Sequence, residues 1–254
     1  MPYVTRRTRD SIPLAIPVLL ATGSVALLAL IWRRMAAPRS QRTLTRQTAH
    51  PADLPTVPES AGDDTQHVHA GTGELFHRRY EVQLAGTGLT AGEALRLMHR
   101  HMTELVPSPL AHFEKSAGAE GLLQVGDEYD ITMLGPWNGK VRVTESTLDH
   151  FTLVTLDGHP EAGHITFRVV TDDDTADTIR VQIESWARAR DAVVHAAYAT
   201  LGIGKQIQTE VWITFLQRLS TLAGMHTTPE VQLTTEQLPQ KGLSSPAGDT
   251  PADD

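Results

Sequence analysis

The chain has 254 residues, 40% of them hydrophobic, enough for one domain of ordinary size with appendages. It contains no cysteine, which excludes disulfides, thiolate metal sites, iron–sulfur clusters and a cysteine nucleophile, so any metal would need His, Asp or Glu. The net charge is −8, yet residues 1–46 hold eight arginines against Asp10 and carry +7, which leaves −15 on the rest and argues against a nucleic-acid partner.

In chain order, residues 1–11 form a basic N-terminal segment and Ile12–Trp32, "IPLAIPVLLATGSVALLALIW", runs 21 residues without a charge. That length spans a bilayer core as a helix, so residues 12–32 are read as a transmembrane anchor retained in the mature chain. Arg6, Arg7 and Arg9 precede the span and Arg33, Arg34, Arg39, Arg42 and Arg46 follow it, a bias that favours a cytoplasmic main domain. Residues 33–73 are rich in Pro, Thr, Ser, Arg and Gln with little apolar periodicity, the composition of a flexible linker. Residues 227–254 read as a disordered acidic tail, which leaves 74–226 as one folded domain.

Within that domain the pattern changes to period two. Phe76, Tyr80, Val82 and Leu84 share one parity, and His77, Arg79, Glu81 and Gln83 the other. Similar alternation around Tyr129–Met133, Val141–Val143, Ile165–Val169 and Ile179–Ile183 predicts strands with one wet and one dry face. The short turn signals between them suit antiparallel neighbours. Thr90 with Glu93 is a capping box that opens a helix ended by Pro107 and Pro109, and Ser108–Lys115 reads as a further short helix or loop. A long helix is predicted from about Asp191 to Gly224, with Ile203, Ile207, Val211, Phe215, Leu219 and Leu222 as its apolar row and Gln206, Gln208, Glu210, Gln217 and Arg218 facing solvent. The order is one strand, one or two helices, about five strands and a long helix: an α+β fold whose antiparallel sheet buries its dry face under that helix.

"GPWNGKVRV", "TLDGHPEAG", "IESWARA" and "GIGKQIQTEVWITFLQRL" resemble blocks of the DUF1990 family, over about Leu75–Leu222. DUF1990 resembles a branch of the START-like, or SRPBCC, helix-grip superfamily. The resemblance implies a curved antiparallel sheet gripping a long C-terminal helix, with a hydrophobic small molecule, lipid or isoprenoid-like, held between them. It implies no catalytic residues and no cofactor.

Tyr80, Tyr129, Met133, Phe167, Trp212 and Phe215 would line such a cavity if sheet and helix face each other, and would otherwise fill a solid core. The stretch Asp157–His164 places His159, Glu161 and His164 close together, which offers an acid/base group for an enzyme of unknown reaction; ordinary turn chemistry explains the same residues more economically. The sequence identifies no metal site, because no third ligand accompanies the two histidines. Glu184, Trp186 and Arg188 fall on the wet parity of their strand. A protein partner for the acidic tail or the sheet surface completes the set of expectations.

Overall fold

The computed structural model describes residues 42–47, 61–108, 110–133, 138–171, 177–201 and 203–238. The segment read as transmembrane, 12–32, lies outside these, and among the described residues no helix is long and apolar enough to cross a membrane.

The strands are β1 (Arg42–Gln47), β2 (Thr72–Ala85), β3 (Ala111–Ala117), β4 (Glu128–Met133), β5 (Asn138–Ser146), β6 (His150–Thr155), β7 (Glu161–Thr171), β8 (Thr178–Ala189) and β9 (Val231–Leu238). The helices are α1 (Ala91–Leu105), α2 (Ala192–Leu201) and α3 (Ile203–Leu222). All nine strands join one sheet in the order β1-β9-β2-β8-β7-β6-β5-β4-β3. Strands β3 to β8 form an antiparallel meander, β2 closes on β8, β9 pairs antiparallel with β2, and β1 runs parallel to β9 at the edge.

The predicted alternation holds in β2, where Tyr80, Val82 and Leu84 are buried and Arg79 and Gln83 are exposed. Its dry parity meets the dry parity of β8 and β7 in register: Tyr80 lies opposite Ile183, which lies opposite Phe167. Helix α1 opens on the predicted capping box, with the Thr90 hydroxyl accepting from Glu93 N–H and the Glu93 carboxylate accepting from Thr90 N–H at 2.8 Å. Arg218 of α3 donates to the Glu104 and Val106 carbonyls at 2.8 Å each, satisfying acceptors at the C-terminal end of α1 and tying the two helices together.

Helix α3 lies across the inner face of the sheet, where Trp212 and Phe215 meet Phe167 of β7 and Trp212 also meets Phe113 of β3. Eight antiparallel strands with a C-terminal helix laid over them form a helix-grip arrangement, as the sequence reading requires.

Three local expectations give way. Ser108–Lys115 does not form a helix; Ala111–Ala117 is a strand, in which Ala111 and Phe113 point inward and His112 and Glu114 outward, a period of two too short to stand out. The linker reading of 33–73 fails from residue 61 on, because this segment docks on the β6–β7 corner. Buried Gln66 donates its side-chain amide to the carbonyls of His159 and Glu161 at 2.9 and 2.7 Å, and its backbone exchanges bonds with Thr155 and Gly163. Arg142 grips Asp64 through both guanidinium ends at 2.6 and 2.7 Å. Such a segment attaches through polar and backbone groups, so it shows no apolar period.

The acidic tail reading also fails over Val231–Leu238, which is β9. Leu238 joins Val68, Leu75 and Trp186 in a second hydrophobic cluster on the face of the sheet opposite α3. Replacing Leu238 by alanine is therefore expected to lower the unfolding free energy by about 2–4 kcal/mol. Leu222→Ala, at a side chain 43% exposed, should change it by about 0.5 kcal/mol or less. Equilibrium urea denaturation measures both; a tail that took no part in the fold would make the first change as small as the second.

Candidate functional site

The inner face of the sheet has two regions under α3. The first is aromatic. Phe151 and Phe167 stack with centroids 4.6 Å apart, Phe167 meets Trp212 edge-on at 5.4 Å and Phe215 at 5.5 Å, and Phe113 meets Trp212 at 6.3 Å. These rings pack on one another. Of the expected cavity-lining residues, Phe167, Trp212 and Phe215 thus form one cluster. Tyr129 is buried on β4, its phenol pushed up to about 12 by burial first and then by Asp127, and Met133 ends the same strand, half-buried.

The second region is polar and lies one sheet row further along β2 and β8. Arg78 sits on the dry parity of β2, between Phe76 and Tyr80 and directly across from Ser185 of β8. It is only 4% exposed. Its guanidinium carbon stands 5.0 Å from the Phe76 ring centroid, and Nη1 donates to Gln208 Oε1 of α3. The same glutamine donates through Nε2 to Glu161 Oε2 at 3.0 Å, so its amide orientation is set from both sides. Tyr80, fully buried, directs its hydroxyl toward Thr209, and burial raises its pKa above the ordinary phenol value. Among the described residues no carboxylate pairs with Arg78.

Buried polar atoms in this interior lack protein partners among the described residues: Ser185 Oγ opposite Arg78, and the indole Nε1–H of Trp212, one helical turn beyond Gln208. Folded interiors satisfy almost all such atoms, and Ser185 Oγ stands across the ladder from a buried guanidinium that no carboxylate pairs with among the described residues. The floor here is built of small side chains, Ser185, Ala187 and Ala189 of β8 and Gly163 of β7. A Cβ on Gly163 would stand 1.9 Å from the Trp186 carbonyl oxygen, so only glycine lets β7 approach β8 there.

The structure separates the three residues of the β6–β7 corner. Glu161 shares the parity of Phe167 and reaches the inner cluster, whereas His164 shares that of Thr166 and lies on the opposite face. His159 belongs to the turn. Gly158, at φ +91°, makes that turn; the His159 ring covers Gly139, where a Cβ would stand 2.1 Å from Cδ2; and Nδ1 accepts from Glu161 N–H at 3.0 Å. Burial lowers both histidines to about 4, keeping both rings neutral near pH 7. No set of three or more His, Asp or Glu able to hold a metal occurs among the described residues.

On the outer face, His77 stacks on Trp186 at 3.8 Å and points one nitrogen at Glu184 (2.5 Å) and the other at Glu236 of β9 (2.6 Å). Glu184 and Arg188 both face outward. Arg188 donates to the carbonyls of Val68 and His69, and Trp186 is covered by the docked segment.

A family model described as Domain of unknown function (DUF1990) matches residues 56–219. The chain belongs to the DUF1990 family. The DUF1990 match takes in the docked segment from residue 61 and ends in α3, so it includes every residue of the inner polar cluster. No curated protein matches the chain. Among solved structures, truncated norcoclaurine synthase from Thalictrum flavum is similar with 16% identity over 61% of this chain and 96% of its own, at a TM-score of 0.43. The same enzyme in complex with dopamine and hydroxybenzaldehyde shows 16% identity over 69% and 99%, at 0.41, and a conserved protein from Geobacillus kaustophilus shows 13% over 61% and 98%, at 0.40.

Sequence reasoning passed over Arg78 and Gln208, which the polar cluster depends on. Helical periodicity assigns Gln208 to solvent, yet its amide faces the sheet. The signal for Arg78 was present: it is the one charged residue on the dry parity of "FHRRYEVQL".

Because His159 and His164 are neutral when folded but titrate near 6.5 when unfolded, the unfolded chain binds more protons between those values. Their contribution to stability is complete above about pH 6.5 and is lost as pH falls toward about 4, up to roughly 3 kcal/mol for each ring. His164→Leu should remove about half of this pH dependence, measured by urea denaturation from pH 4 to pH 8.

Proposed function

We propose that this DUF1990 chain holds a largely apolar small molecule, lipid or isoprenoid-like, between the inner face of its sheet and α3. One observation carries the reading: Ser185 Oγ on the sheet and Trp212 Nε1 on α3 are buried without a hydrogen-bond partner among the described residues, and the buried Arg78 guanidinium meets a neutral amide and a ring where a counter-ion is usual. A bound molecule with an apolar body and a polar end would meet the aromatic region with the first and these atoms with the second. Residues 12–32 would anchor the chain as a single membrane span, with the domain on the cytoplasmic side, giving the ligand a source in the bilayer. Binding needs no cofactor or metal. An enzyme built on His159, Glu161 and His164 finds less support, since those side chains do not share a face of the sheet.

Native mass spectrometry of the full chain after mild extraction should find a co-purifying small molecule. Ala187→Phe, which enlarges the floor beside Arg78, should reduce its occupancy at least several-fold while circular dichroism stays unchanged. Repeated preparations that carry no molecule and take up none from a lipid extract would overturn the reading.

A further inference from the structure

We propose that the polar end of the site receives a single carboxylate, so that the ligand of this chain is an amphiphile with one carboxylic acid group. This rests on the binding role just proposed and names the head group it selects.

The argument starts from charge. A guanidinium remains protonated in any protein environment, and taking one out of water without a counter-ion is costly. Buried guanidiniums are accordingly matched with acceptors, most strongly with carboxylates or phosphates, and Arg188 in this chain uses the Val68 and His69 carbonyls. Arg142 illustrates the paired case in this chain, held between Asp64 and Glu128 at 2.6 and 2.5 Å. Arg78 is more deeply buried than Arg142, yet among the described residues it has a neutral amide and an aromatic face instead of an anion. The fold retains a charge that an apolar residue on the same parity of β2 would avoid.

Geometry then gives the acceptor a place. Ser185 stands opposite Arg78 across the β2–β8 ladder, only 2% exposed, and its hydroxyl has no partner among the described residues. A guanidinium edge and a hydroxyl on adjacent strands, about 5 Å apart at Cβ, can donate to the two oxygens of one carboxylate. Tyr80, the next inward-facing residue of β2, lies on one side and Phe76 on the other, so the head group would enter between two rings. A monoanion fits better than a phosphate dianion. Among the described residues the site offers one buried cation, and the carboxylates of Glu161, beyond Gln208, and of Glu210 add negative charge around Tyr80.

The test is competitive retention. The purified full chain is incubated with equal concentrations of dodecanoate, dodecanol, dodecylamine and dodecyl phosphate, passed through size exclusion, and the retained compounds are quantified by mass spectrometry. Dodecanoate should be retained about 10–100-fold over dodecanol, the range expected for a charge-assisted hydrogen-bonded pair. Arg78→Gln should bring the two to parity, and Arg78→Lys should restore part of the preference. Should Arg78→Gln fail to fold, Ser185→Asp gives the guanidinium an internal counter-ion across the ladder and should abolish the preference in a folded chain. Equal retention of acid and alcohol by the parent chain would overturn the head-group assignment and leave the apolar binding role standing. Preference for the phosphate or the amine would overturn it as well. Retention of none of the four would remove both the assignment and the binding role on which it rests.

Discussion

The second half of β8 is buried on both faces, and the rest of the architecture answers that constraint. Up to Glu184 the strand alternates between buried and partly exposed residues, but from Ser185 to Ala189 every residue is buried. A strand in that condition needs a cover on each side. On the inner side α3 lies over the neighbouring β2, where Gln208 meets Arg78. The outer one is assembled from Val68 and its 3₁₀ turn, Leu75 of β2 and Leu238 of β9, closed around Trp186. Arg188 contributes by donating to carbonyls of that turn, so a charged side chain fixes the cover in place.

Double burial also shapes the inner site. With Trp186 and Arg188 committed to the outer face, the inner positions of the same stretch are Ser185, Ala187 and Ala189, and their neighbour on β7 is Gly163. Large groups on one side and small ones on the other come from a single alternating pattern. Under the small side, Arg78 and Gln208 meet a low floor in place of a packed aromatic one. Aromatic filling and polar chemistry therefore divide the space beneath α3 between them, with the Tyr80–Ile183–Phe167 row as their boundary.

Much of this was legible in the residues. Parity in "FHRRYEVQL" and "IRVQIESWARA" located two central strands and oriented Glu184 and Arg188 outward, because alternation needs only local side-chain order. The capping box placed the start of α1 for the same reason. What escaped were attachments whose partners are distant in the chain. Gln66 looks like a linker residue until the carbonyls of His159 and Glu161 are beside it, and Val231–Leu238, polar at five of its eight positions, becomes a strand only between β2 and β1. The polar cluster was half-visible: Arg78 broke the dry parity of β2, but its glutamine partner comes from α3, and helical periodicity assigned Gln208 to water.

The pairing of β2 with both β8 and β9 has a consequence for the order in which a growing chain can assemble. Arg79 must find Glu184 on one side and Thr234 on the other, so β2 is made long before either neighbour exists. Until then Phe76, Tyr80 and Arg78 have no strand beside them, and pairings this remote in sequence form slowly. The meander from β3 to β8, whose contacts are local, can form first and present the edge of β8 as a template. On a ribosome the interior beneath α3 is thus among the last parts to close, and a hydrophobic molecule present at that moment could be enclosed as the sheet completes itself.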